Sequence, residues 1–153
     1  MAQALLITTL LSIAGLIATS VAGFIAGPGH TAQHIFMALA TVVIGLFSQS
    51  MTLFFFIGTG KQLKDKAKGT SYEPEVKAAT RSLSMRVSPI ATYAVTALMV
   101  TFIMGGGVAS GQTPRWLHLS LSAATVLLFA RAYWVEIQAM EANAQLMERF
   151  LAD

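Results

Sequence analysis

The sequence predicts an all-α membrane protein, a four-transmembrane-helix, up-and-down bundle with cytoplasmic helical extensions. Three observations carry this. Of 153 residues, 55% are hydrophobic and only 11% charged, against roughly 25% charged in soluble domains, so a water-facing surface has too few charges to cover it. Four apolar stretches, at about 4–26, 34–58, 90–108 and 116–134, each approach the ~20 residues that span a ~30 Å hydrocarbon core. Basic residues gather in one connection. The mean hydropathy of +0.65 agrees, and all 153 residues read as a single transmembrane domain.

The first stretch has no basic residue before it or within it, since none occurs ahead of Lys61. It therefore lacks the basic start of a signal peptide and is expected to remain as a membrane helix. Gly27-Pro28-Gly29 is expected to end it, with Thr31 capping the second helix. Pro89 marks a start or kink of the third helix, and Thr113-Pro114 opens the fourth. Strands are disfavoured, because a spanning segment must satisfy its own backbone and a helix does so.

Orientation follows from charge. The linker 59–88 holds Lys61, Lys64, Lys66, Lys68, Lys77, Arg81 and Arg86, seven of the ten basic residues. The positive-inside rule puts this linker and both termini in the cytoplasm. Tyr133 and Trp134 fit an aromatic belt at the inner surface. Within the linker, Glu73-Pro74-Glu75 reads as a helix start, followed by Val76, Ala79, Leu83 and Val87 at helical spacing. The tail 135–153 repeats Ile137, Met140, Ala144, Met147 and Leu151. It is acidic, with Glu136, Glu141, Glu148 and Asp153 against Arg149. It is expected to be solvated, to dock on the basic linker, or to lie beside anionic lipid with it.

Small residues recur on two helices. Gly15, Thr19, Gly23 and Gly27 repeat every four residues, flanked by Ala14, Ala18, Ala22 and Ala26; a second ridge runs through Ala97, Thr101, Gly105 and Ala109. Such ridges let helix backbones approach closely in lipid, where no hydrophobic force drives helices together. They suit packing inside the bundle, self-association, or assembly with other membrane subunits.

The three histidines, His30, His34 and His118, all fall at the outer end of the expected bundle. Histidine near the headgroups needs no partner. If helices 2 and 4 face each other, however, His34 and His118 make an axial pair for haem b, with Arg115 placed for a propionate. A three-histidine site for copper or zinc, using His30 as well, is the other metal reading. Deeper in, Gln49 and Arg131 lie at similar depth; Arg131 is expected to snorkel to the inner surface, or the two to form a polar contact with each other inside the bundle or to touch a lipid headgroup or quinone.

Other classes are disfavoured. There are no cysteines, which removes disulfides, thiolate metal sites and thiol nucleophiles. No acidic residue falls inside the four spans, which argues against a carboxylate proton relay. No phosphate-binding or dinucleotide loop is present, and the linker lysines lack interleaved aromatics, so no nucleic-acid partner is expected. What remains is a non-catalytic membrane subunit, in a homo-oligomer or a larger complex of respiratory, electron-transfer type. The alternatives are a haem b electron carrier and a small channel or transporter. The layout resembles the small haem-bearing membrane anchors of respiratory complexes, in architecture only.

Overall fold

A computed structural model describes residues 1–25 and 28–151. Its main elements are α1 (Ala2–Ile25), α2 (Thr31–Ala67), α3 (Glu73–Ala109) and α4 (Arg115–Leu151), with a 3-10 turn at Pro28–His30 ahead of α2. All four helices are long and apolar enough to cross a membrane. They run up and down in sequence order. α1 packs on α2 and α4, α3 packs on α2 and α4, and α2 meets α4 across the diagonal, while the backbones of α1 and α3 stand further apart among the described residues. The cross-section is therefore a rhombus with α2 and α4 on its short diagonal. One end of it carries the 1–2 and 3–4 connections and is called the histidine end below; the other, the terminal end, carries both chain termini and the 2–3 connection.

The long basic linker is mostly helix. α2 continues through Lys61, Lys64 and Lys66, and α3 begins at Glu73, which leaves only 68–72 as a turn. Gly69 takes φ +78° there, a left-handed backbone that costs glycine little. Its N–H donates to Glu73 Oε2 at 2.7 Å, and Lys77 pairs with Glu73 Oε1 at 2.6 Å. Lys77 first, then the Gly69 N–H, hold the Glu73 carboxyl below its ordinary pKa. At the other end, α3 stops in a Schellman motif: Gln112 N–H donates to the Gly107 carbonyl and Gly111 N–H to that of Val108, with Gly111 at φ +74°.

Pro89 does not start α3; the helix runs through it, with the ring exposed. Proline at that place leaves one backbone acceptor without its usual helical donor. Pro114 precedes α4 and its carbonyl accepts from Leu117, so the helix opens one residue later than its Thr-Pro signal suggests. Gly27 and Ala26 lie outside the described residues.

Three apolar clusters stack along the axis. Leu16, Val42, Ala94, Leu98, Phe129 and Ala132 form the middle one. Leu5, Phe56, Leu83, Val87, Val135, Ala139 and Met140 form the next toward the terminal end. Leu63, Ala67 and Val76 tie the α2 and α3 extensions together, with Leu146, Met147 and Phe150 of α4 against them. The tail is thus docked helix. Its buried stripe runs through Ala132, Val135, Glu136, Ala139, Met140 and Asn143, so Ala144, expected on the packed face, is exposed.

Between helices run hydroxyl rungs. Thr19 meets Thr41 at 3.1 Å, Ser20 meets Ser122 at 2.6 Å, and Thr101 meets Thr125 at 2.7 Å. Each pair joins neighbouring helices where large side chains would hold the backbones apart.

Candidate functional site

His34 sits one turn into α2 and His118 one turn into α4. Because these helices share the short diagonal, the two imidazoles converge: their ring centres are 6.4 Å apart and their planes cross at 83°. Both rings are half-buried, and both line a cavity of about 250 Å³ between all four helices, near the lower end of the ~300–1,000 Å³ of small-molecule sites.

Glycines make the room. A Cβ on Gly23 would stand 2.7 Å from His34 Cε1, and one on Gly105 would stand 3.0 Å from His118 Cε1. Gly15, Thr19 and Gly23 of one expected ridge and Thr101 and Gly105 of the other therefore face inward, while Ala14, Ala18 and Ala109 are exposed. Gly15 and Thr19 of α1 lie against Thr41 of α2, and Thr101 of α3 meets Thr125 of α4, whose hydroxyl also reaches the Ala97 carbonyl. These small residues close the bundle on itself and bring two imidazoles to its axis.

The Nδ1 atoms of His34 and His118 are buried without a hydrogen-bond partner. Buried polar atoms are nearly always satisfied, so an orphaned nitrogen on each of two facing rings suits a ligand. The separation suits one too. Two metal–nitrogen bonds of ~2.0–2.1 Å, plus about 1.1 Å from each nitrogen to its ring centre, put the centres of a bis-imidazole pair about 6.3 Å apart.

Arg115 lines a second cavity with both histidines. Its Nη2 donates to the Gly23 and Phe24 carbonyls at 2.9 and 2.8 Å. It thereby caps the C-terminal end of α1, a favourable place for a cation. His30 is exposed in the 3-10 turn. It does not join the pair into a metal-holding trio: among the described residues no three His, Asp or Glu side chains come together in that way. The reason is local, since the 3-10 turn ends at His30 and the regular α-helical spacing that would align it with His34 begins only at Thr31.

Gln49 and Arg131 do not meet. Arg131 is exposed on α4, whereas Gln49 is 0% exposed and its Nε2 donates to Glu136 Oε1 at 2.8 Å. Glu136 is itself 0% exposed. No acid falls inside the four spans, as expected, but hydropathy ends the fourth span at Trp134 while the buried face of α4 continues past it and takes in Glu136. The missed signal was helical spacing, because Glu136 follows Phe129 and Ala132 by seven and four residues and so lies on their face.

Comparison with known protein families, with curated proteins and with solved structures finds no match. The site is read from its own geometry.

Proposed function

We propose that this chain is a membrane-embedded electron carrier that holds one haem b between His34 and His118. The observation that carries the reading is the crossed imidazole pair, 6.4 Å between centres, on the short diagonal of a four-helix bundle. A bound haem supplies a one-electron iron couple. The chain's own residues do the rest. His34 and His118 would hold the haem iron through their ring nitrogens. Gly23 and Gly105 leave the space that lets the rings sit at the axis. Arg115, charged and beside both histidines, offers a partner for a propionate. The apolar walls, among them Leu16, Val42, Leu98 and Phe102, keep water from the site.

The same reading places the protein in a lipid bilayer with the basic α2–α3 end and both termini in the cytoplasm, as the clustering of seven basic residues supports. The histidines then lie in the outer half. On this reading the chain is a non-catalytic subunit that passes electrons to or from a membrane partner.

Purification in mild detergent with haem supplied, followed by a visible spectrum before and after dithionite, tests the proposal. A Soret band with sharp reduced α and β bands is expected, lost in His34→Ala and in His118→Ala and kept in His30→Ala. A colourless protein, or a band indifferent to replacing both histidines, ends it.

A further inference from the structure

The second buried polar cluster lies far from the histidines, about 22 Å from His34 along α2 and about 27 Å from His118 along α4 at ~1.5 Å per residue. Glu136 is its centre. Gln49 Nε2 donates to one carboxyl oxygen at 2.8 Å and Thr9 Oγ1 lies 3.0 Å from the other. Thr9 Oγ1 is also 2.6 Å from Ser48 Oγ and 3.1 Å from the Leu5 carbonyl. Thr9, Ser48, Gln49 and Glu136 are all 0% exposed. On each of α1, α2 and α4 this layer falls in sequence between residues of the middle apolar cluster and of the next one.

Among the described residues no charge answers the carboxyl group. α1 has no titratable side chain at all, and α2 has none between His34 and Lys61. α3 brings apolar Val87 to the neighbouring cluster. Its Arg86 is exposed and bonds Gln138 instead, while Arg131 and Glu141 on α4 are exposed. Among the described residues the ion pairs are Lys77–Glu73 and Arg149–Glu75, neither involving Glu136. An isolated ionised carboxylate is very costly in such surroundings.

The cluster is also short of hydrogens. An ionised carboxylate offers about four acceptor sites, and neutral donors reach two. Gln49 Oε1 and Thr52 Oγ1 are buried with no partner. A positive occupant would remove the uncompensated charge, and a proton would also add one hydrogen to the cluster. A metal ion fits poorly: oxygens ~2.3–2.6 Å from a common ion stand about 3.3 Å apart, whereas Thr9 and Ser48 already touch at 2.6 Å.

We propose that Glu136 is a proton-binding site in the bundle, holding its proton at neutral pH within the Thr9–Ser48–Gln49 cluster. Thr9 lets the site hold either state. With Glu136 protonated, Thr9 accepts from the acid O–H and donates to the Leu5 carbonyl; when the proton leaves, Thr9 turns to donate to the carboxylate. The assignment does not depend on any haem.

Infrared spectroscopy of the full chain in detergent tests it. The carbonyl stretch of a protonated carboxylic acid is expected at pH 7–8, well above the range in which a carboxyl group in water ordinarily loses its proton. The band is expected to shift in heavy water, to vanish in E136Q and to persist when choline chloride is replaced by sodium chloride. Absence of the band from the wild-type protein overturns the proposal, and so does its loss on adding sodium, which makes the occupant a metal ion. The wild-type measurement stands by itself if E136Q does not fold.

Discussion

The imidazole of His34 rests on the backbone of Gly23 so closely that a methyl group added there would lie 2.7 Å from Cε1. Carbon atoms of separate groups essentially never come that close, so Gly23→Ala must push the ring from its position. Gly105→Ala, at 3.0 Å from His118, asks for a smaller shift. Haem retention is expected to fall severalfold in Gly23→Ala and less in Gly105→Ala, read as Soret absorbance per protein. Equal retention in Gly23→Ala and the wild type would show that the ring's seat does not matter.

Crossed ligand planes carry a spectroscopic signature. With imidazoles at 83°, the oxidised, haem-loaded protein is expected to show the highly anisotropic low-spin electron paramagnetic resonance signal of perpendicular ligands. A rhombic spectrum of parallel ligands would contradict the observed crossing.

Phe129 is 0% exposed in the middle cluster and lies against Gly45. Phe129→Ala is expected to destabilise the fold by about 3–5 kcal/mol, the usual range for emptying a buried aromatic site. Thr125→Val, which loses the hydroxyl contact to Thr101 at 2.7 Å, is expected to cost only ~0.6 kcal/mol, the mean for such bonds between membrane helices. Unfolding in mixed micelles compares the two, and the order should not reverse.

At the 68–72 turn, Glu73 is an acid whose pKa is lowered by folding, by Lys77 and the Gly69 N–H. Its contribution is therefore complete at neutral pH, above the ordinary carboxylate range, and is lost as pH falls through the lowered value. The Gly69 amide is expected to be protected from hydrogen exchange at neutral pH, with the protection factor falling in acid. Glu73→Gln should show the weaker protection throughout.

The chain has no cysteine, so single cysteines report orientation cleanly. Ser71→Cys, in the α2–α3 turn, is expected to react with an impermeant maleimide only from the cytoplasmic side, and Gln112→Cys only from outside. The reverse pattern would invert the orientation and move the histidines to the inner half.

Much of this was legible beforehand. Long apolar runs gave four helices, Glu73-Pro74 marked the start of α3, and His34 and His118 stood at one level because each lies near the start of its helix. Their lateral meeting was not legible, since it depends on α2 and α4 taking the short diagonal, a property of packing among all four helices. The role of Gln49 was hidden for a related reason. Its partner Glu136 lies beyond Arg131 and Trp134, where averaged hydropathy falls, yet one face of α4 stays buried to Asn143. Averaging over all faces of a helix erases a stripe that only one face carries.

The hydrogen bond from Gln49 to Glu136 joins the same two helices that carry the facing histidines. α2 and α4 thus resemble the arms of a pair of tweezers, fastened at one end and bearing the imidazoles at the tips. The nearer contact of the two helices, Phe129 against Gly45, is about 16 Å from His34 along α2, so opening the tips by ~1 Å about it asks for a tilt of only about 3–4°, small enough for packed helices to absorb by sliding. Fine adjustment of the gap between His34 and His118 is therefore mechanically easy, while the far end holds the two helices in register.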